Sequence, residues 1–566
     1  MEKEVVIALR GSGLKEEMID SLSRDTTHDS SVDSSIVPDR AVHIENQRPS
    51  SKKLFSATLT EEEVSQLRQD GRVEAINSVP VWDDSWTDNF HYGMGKLGDT
   101  PSTPTSFSRV RTTLGGGTSW GIRRLASRDN PWFSLNTDYT QSTDLTSNLT
   151  FTADGTGVDY INHEGGVVSN PTDPQWFSCR DSSINRYNQF QWNTLPNCSG
   201  IQTIPYTAPA NWSDHATTVC AFATSQYYGV ARNANIYSFP LNLISSSYWF
   251  DAIKEFHKAK PIDPITGFKA PTVVNASWGT PIYLNYWDGV NDVNVIQRLN
   301  FRGSSISGTS KADFSDVYKY ALGHWQGDSI NRAYIADLFP TMRVEVQEMI
   351  DEGVIFISSA GNSGQLIDAS TGVDWNNTVT TNSQALDTYQ RQQTYYYCRG
   401  SSNTSNDSIE VGAIWNELHP DLNYAGTKEH VTSYSCKGEG VHIYAPGSLG
   451  FTSWDGSSSN VAQDSFGDGT SYAAPLVSGT VCQLVQLSPG MSCKRVKEWV
   501  VNNGTQNALF DNNHSEANTE IRWSDEKSLF SGNNVVVYNP FLIAQDNDVF
   551  TNLYNISNNA VEIVAT

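Results

Sequence analysis

No stretch of this chain approaches the ~20 apolar residues needed to cross a bilayer, so a helical membrane span is excluded. The opening Met1-Glu2-Lys3-Glu4-Val5-Val6-Ile7 is not followed by an apolar core of signal-peptide length. A leaderless start favours the cytoplasm or a virion over classical secretion, and it leaves the sequons at Asn148 and Asn211 with little meaning. Basic residues are also scarce. The chain has 38 Lys and Arg against 62 Asp and Glu, a net charge of −24, too few cations to neutralise a phosphate backbone. Nucleic acid is therefore not an expected partner, and the acidity reads as solubility and mutual repulsion. The seven cysteines (179, 198, 220, 398, 436, 482 and 493) lack CxxC or zinc spacing. Their odd number fits reduced thiols in a cytosolic setting, with a local Cys179–Cys198 bridge as the alternative.

At 566 residues, with 16 Trp, the chain is long enough for more than one domain with a substantial core. Residues 1–82 read as a small α+β unit. Residues 4–10 form an apolar strand, and residues 14–24 a helix with Leu14, Met18 and Leu22 on one face. Residues 54–59 form a second strand. Thr60-Glu61-Glu62-Glu63 is a capping box opening a helix to Asp70, and Gly71 ends it. Residues 73–82 return as a strand, and the polar stretch 25–53 is expected to be loop-rich. Residues 83–118, rich in Asp, Thr, Ser and Pro and ending in Gly115-Gly116-Gly117, are a linker by composition.

From Trp120 onward apolar strands alternate with helices, the pattern of a parallel α/β sheet. A clear unit is the helix 341–352, stopped by Gly353 and followed by a buried strand at 354–358. Segments 280–340 and 365–405 are polar, aromatic-rich and irregular, and read as insertions. No internal repeats occur. Residues 542–566 are a polar tail with one apolar ending, suited to an added edge strand, a partner contact or disorder.

Gly469-Thr470-Ser471-Tyr472-Ala473-Ala474-Pro475 is the most informative stretch. It would place the Ser471 hydroxyl at the positive end of a buried helix, where developing negative charge is stabilised. Taken alone, it also fits an ordinary Ser or Thr cap. Four other segments narrow the reading: Ser213-Asp214-His215, Asn275-Ala276-Ser277-Trp278-Gly279, Ala360-Gly361-Asn362, and the run from Gly157 to Gly166 containing Glu164. In order along the chain the set offers a carboxylate, a histidine, an amide donor and a serine.

On these residues the chain resembles the subtilisin-like serine proteases (subtilases) over roughly 119–541. The resemblance implies an α/β fold with a mostly parallel sheet flanked by helices, preceded by a small ferredoxin-like α+β inhibitor domain, a propeptide. Gly469–Pro475 matches the nucleophile motif Gly-Thr-Ser-x-Ala-x-Pro, implying Ser471 as nucleophile. Ala360-Gly361-Asn362 matches the segment of the oxyanion-hole Asn. Ser277-Trp278-Gly279 resembles the strand that pairs with substrate; with Ala360 and Gly361 it would form a small, fairly apolar pocket wall of broad or hydrophobic specificity. Tyr444-Ala445-Pro446-Gly447 and Tyr228-Gly229-Val230-Ala231 match further signatures.

Two positions depart from the family. His-Gly-Thr-His reads His215-Ala216-Thr217-Thr218, so the catalytic His is kept and the second is lost. Where the family has an apolar strand ending in Asp-x-Gly, the ungapped register puts Glu164 at the Asp position, with Asp159 or Asp154 as stand-ins under another register. The adjacent His163 reads as a surface or strand-end histidine. The resemblance further implies an autoprocessed zymogen cut within 83–118, acting on protein or peptide substrates, with no metal required for the chemistry. The family often carries structural calcium, but no loop here has a spacing that assigns one. The competing class is a catalytically weak or inactive component of a larger, virus-like assembly with its own assembly partner, favoured by Glu164, the lost histidine and the polar insertions. A lipase or esterase, the third class, ranks below both, because Ala473 stands where the Gly-x-Ser-x-Gly elbow has its second glycine.

Overall fold

A computed structural model describes residues 2–24, 38–79, 120–129, 149–168, 212–225, 229–241, 249–279, 282–283, 285–287, 292–294, 296–307, 334–335, 339–381, 394–400, 404–414, 429–432, 434–449, 467–509, 529 and 532–544. The expected linker 83–118, nearly all of the tail, and Cys179 with Cys198 lie outside these residues. The other five cysteines are buried free thiols. Among the described residues no helix is long and apolar enough to cross a membrane.

The N-terminal unit is a four-stranded antiparallel sheet, β1 (Lys3–Leu9), β2 (His43–Asn46), β3 (Leu54–Leu59) and β4 (Val73–Ser78), in the order β2-β3-β1-β4. Two helices, α1 (Lys15–Ser23) and α2 (Glu61–Leu67), cover one face. Strand alternation explains the two faces. Val5, Ile7 and Leu9 point toward Met18, Leu22, Val64 and Leu67, whereas Val6, Ala8, Leu54 and Ala75 form the opposite apolar face. The α2 start is the capping box expected from sequence: Thr60 Oγ1 accepts the Glu63 N–H, and Glu63 returns a carboxylate oxygen to the Thr60 N–H at 2.7 Å. Within 25–53, read as loop-rich, the described residues 38–53 hold one short strand, β2. It is a four-residue, half-exposed edge strand, too short and too polar to show a hydrophobic alternation.

The body centres on an eight-stranded sheet. From edge to edge its strands are Thr505–Gln506, Val535–Val536, Ile443–Pro446, Ile409–Ile414, Ile355–Ser359, Thr272–Ala276, Asp159–Glu164 and Asn235–Pro240. All neighbouring pairs are parallel except the first. The inner strands are buried along their whole length, as expected for a sheet covered by helices on both faces. Leu542–Ala544 pairs with Leu149–Phe151, so the body reaches at least residue 544.

The two segments expected to be irregular insertions meet in a small antiparallel sheet. Its strand order is Ser304–Ser307, Ile296–Phe301, Thr378–Thr381, Tyr395–Tyr396. Ile296–Phe301 and Ser304–Ser307 form a local hairpin, but the pairing of Ile296–Phe301 with Thr378–Thr381, which makes the sheet, joins segments far apart in sequence and no local pattern reveals it.

The N-terminal unit docks with its helix-free face on Val344 of the helix Pro340–Asp351. Beside it Arg48, completely buried, places Nε 2.7 Å from Asp251 and Nη1 2.9 Å from Glu345. Lys254 bridges Asp251 and Glu348 at 3.0 and 3.2 Å. Glu348 also accepts the Lys52 N–H at 2.9 Å.

Candidate active site

Parallel α/β sheets place functional groups at the carboxyl ends of their strands, and three strand ends meet here. Glu164 is the last residue of Asp159–Glu164, Ser277 follows Thr272–Ala276, and Asn362 follows Ile355–Ser359. Asp159 sits at the other end of its strand, ~16 Å away at 3.3 Å per residue. It is engaged there by Lys260 at 2.6 Å and Asn235 at 2.8 Å. Asp154 holds Thr156 and Asn233. Of the three candidate carboxylates it is Glu164 that meets the histidine: its Oε2 lies 2.9 Å from His215 Nδ1. Its Oε1 accepts the Ser277 N–H, also at 2.9 Å.

His215 stands in the first turn of the helix Asp214–Thr224. Ser213 caps this helix by accepting the Ala216 N–H at 3.2 Å. Thr218, where the family has its second histidine, is buried in the same helix. The His215 ring lies 6.2 Å, centroid to centroid, from Tyr472, the residue after Ser471.

Ser471 is the second residue of the 18-residue helix Thr470–Leu487 and is fully buried. Its hydroxyl donates to the Ser277 carbonyl at 3.3 Å, and the Ser277 hydroxyl donates to the Ser471 carbonyl at 3.0 Å. Asn362 lies beside the same helix start. Its Oδ1 accepts both the N–H and the Oγ1–H of Thr470, at 2.9 and 2.8 Å. That fixes the amide orientation and leaves Nδ2 as a buried donor with no partner among the described residues. Gly361, with φ +102° and a would-be Cβ 3.2 Å from Cys436 Sγ, is required to be glycine for this turn. The Tyr444–Gly447 signature lies alongside, where the Gly447 carbonyl accepts the Gly469 N–H at 2.9 Å.

Sequence reasoning expected Trp278 on a pocket wall, and the structure corrects this. The ring is 3% exposed and packs edge-on to His163 and Trp249 and roughly parallel to Phe250. Strand alternation sends it into the core, while Ser277 turns to the site. His163 is likewise no surface residue. Alternating with Glu164, it is fully buried among Phe239, Trp249, Phe250 and Trp278. Burial pushes its imidazole down to about 3. Gly279 and Ala360 are buried next to Trp278 and Gly361, and all four positions flank the Ser277 and Asn362 turns. Thr470 and Ser213 escaped sequence reasoning as supports; their only signal was a hydroxyl residue one position before Ser471 and two before His215. Among the described residues no group of three or more His, Cys, Asp or Glu is arranged to hold a metal ion.

The family model of the subtilases (peptidase S8) matches residues 181–519. The chain belongs to the subtilase family. That family is one of serine peptidases, and the fold is subtilisin-like α/β. The match spans His215, Asn362 and Ser471 but starts after Glu164, so the carboxylate rests on the geometry alone. No curated protein matches the chain.

Similar solved structures include a cold-adapted subtilisin-like serine proteinase, at 17% identity and a TM-score of 0.39, covering 75% of this chain and 98% of that one. Fervidolysin from Fervidobacterium pennivorans, described as a keratinolytic enzyme related to subtilisin, is 14% identical with a TM-score of 0.44, covering 96% and 60%. The epidermin leader peptide processing serine protease from Staphylococcus aureus, solved as a serine-to-alanine mutant, is 12% identical with a TM-score of 0.42, covering 96% and 99%.

Proposed function

We propose that this subtilase is an active serine endopeptidase made as a zymogen, with Ser471, His215 and Glu164 as its triad. The observation that carries the reading is the 2.9 Å contact between Glu164 Oε2 and His215 Nδ1. With the Glu164 carboxylate as acceptor, Nδ1 carries the hydrogen in this reading and Nε2 is the base. The Ser471 hydroxyl turns from the Ser277 carbonyl to His215, gives up its proton to Nε2, and attacks a peptide carbonyl. The new oxyanion takes hydrogen bonds from Asn362 Nδ2–H and the Ser471 N–H, backed by the helix dipole. The imidazolium then protonates the leaving amine, and water releases the acyl group by the reverse sequence. Losing the carboxylate's help in such a template costs about 10⁴ in turnover, and losing one oxyanion donor about 10²–10³.

The N-terminal unit is the inhibitory propeptide in this reading. Supporting this, it has its own apolar core, docks on the body helix Pro340–Asp351 through a second apolar face, and ends in a strand, Val73–Ser78, that leads toward the 83–118 segment. Cleavage within 83–118 would release it. The test is intact mass of freshly purified full-length protein over time, beside Ser471→Ala. Loss of an N-terminal piece by the wild type alone supports the reading. Full-length protein in both samples, with no labelling of Ser471 by diisopropyl fluorophosphate, rejects it in favour of a non-catalytic assembly component.

A further inference from the structure

Ser277, expected from sequence only to line the substrate strand, touches both ends of the proposed triad. Its N–H donates to Glu164 Oε1 at 2.9 Å, its hydroxyl donates to the Ser471 carbonyl at 3.0 Å, and its carbonyl accepts the Ser471 hydroxyl at 3.3 Å. It is fully buried.

The hydroxyl contact has a cause in the sequence. In an α-helix the carbonyl of residue i takes the N–H of residue i+4. For Ser471 that residue is Pro475, which has no N–H. The Ser277 hydroxyl supplies the missing donor. Its rotor is fixed from behind: Asn275 Nδ2 donates to Ser277 Oγ at 3.0 Å, and the Ser478 hydroxyl donates to Asn275 Oδ1 at 2.9 Å. With a lone pair taken by Asn275, the single hydroxyl hydrogen points at Ser471.

The N–H contact bears on the choice of carboxylate. Glu164 bridges two donors on separate elements, the His215 ring and the Ser277 N–H, each at 2.9 Å. An aspartate would be shorter by one C–C bond, ~1.5 Å. From this backbone position it could keep one contact at hydrogen-bond length but not both.

We propose that Ser277 is a positioning residue for hydrolysis, and that this frame is built for glutamate, so that the family's own aspartate at position 164 impairs the site. This rests on the serine-peptidase reading.

The test compares wild type, Glu164→Asp and Ser277→Ala by their rates of labelling with diisopropyl fluorophosphate. Intact mass reads the processing state of each preparation. The low-field proton NMR resonance of the His215 Nδ1–H reports the carboxylate contact separately. Glu164→Asp is expected to slow labelling roughly 10–100-fold, the range for a lost hydrogen bond to a charged group, and to shift that resonance upfield. Ser277→Ala is expected to slow labelling about tenfold while leaving the resonance in place, since the backbone N–H remains. The melting temperature separates these effects from simple unfolding.

Labelling of Glu164→Asp at or above the wild-type rate overturns the glutamate frame. Wild-type labelling of Ser277→Ala overturns the positioning role. A wild type that takes no probe defeats the peptidase reading itself and this inference with it.

Discussion

Two buried charge clusters in this molecule are built from similar parts to different ends. At the junction of the N-terminal unit with the body, two cations, Arg48 and Lys254, face three carboxylates, Asp251, Glu345 and Glu348. At the candidate site one carboxylate, Glu164, faces one histidine. The junction cluster is charge against charge. Although burial opposes its ionisation, the charges of Arg48 and Lys254 hold Asp251 down to about 2. Asp251 therefore stays ionised at any physiological pH, whereas burial pushes the Glu345 carboxyl up despite Arg48 beside it. The site cluster pairs a fixed charge with a ring whose proton must come and go, and it leaves Asn362 Nδ2 open. Buried ion pairs add little net stability once desolvation is counted, but they punish misplacement. The junction cluster is accordingly better understood as setting where the N-terminal unit sits than as the main source of its affinity. The apolar face of Val6, Ala8, Leu54 and Ala75 supplies the rest.

The sharpest way to break this comparison is Glu164→Gln. If the amide oxygen keeps the Ser277 N–H, its NH₂ meets His215 Nδ1 and forces the wrong tautomer. Turnover is expected to fall by about 10⁴ with little change in stability, measured as peptide hydrolysis beside thermal unfolding. A loss under tenfold would mean that the contact is structural, like the junction. Next in size is Arg48→Ala. It leaves Asp251 and Glu345 buried without their guanidinium, at about 3–5 kcal/mol. Hydrogen exchange of β1 and β3 amides in a Ser471→Ala background should accelerate accordingly, with the central sheet unaffected. Unchanged exchange would show that the apolar face alone fixes the docking.

Asn362→Leu probes the open donor. Turnover should fall by about 10²–10³ with KM nearly constant, because the lost bond belongs to the transition state. An equal rise in KM would instead mark Asn362 as a ground-state substrate contact.

The site was more legible in sequence than the sheet around it. Gly469–Pro475, Ala360–Asn362 and His215 are local strings whose chemistry demands those residues side by side, and the register placing Glu164 needed only an ungapped strand. The Thr60 capping box was legible for the same reason, four residues long and self-contained. What escaped was non-local or hidden by alternation. Strand β2 and the insertion sheet depend on partners in other segments. Trp278 beside Ser277, and His163 beside Glu164, face opposite ways on their strands, and a linear string does not say which neighbour takes the site. Pro475 was visible throughout as part of the nucleophile motif. Its consequence for the Ser471 carbonyl appears only once Ser277 is placed against it.

His163 offers the mildest test and carries the comparison into pH. Its ring is sealed among four aromatic side chains, and burial holds it neutral down to about 3, against 6.5 for a free side chain. The unfolded chain therefore binds this proton first. Stability is complete above about 6.5, is lost as pH falls below that value, and levels off near 3. At pH 5 the deficit from this residue is roughly 2 kcal/mol. His257 and His442, pushed down by burial to about 4 and 3, add to the same slope. The informative quantity is thus the difference between wild type and His163→Leu, taken as the change in denaturant-unfolding free energy from pH 7 to pH 5. That difference cancels the packing cost of the substitution and should be smaller in the variant by about 2 kcal/mol. Equal slopes would mean that the cage opens to water before the protein unfolds. The strand carrying Glu164 would then be looser in acid than the ion-paired junction, reversing the contrast between the two clusters.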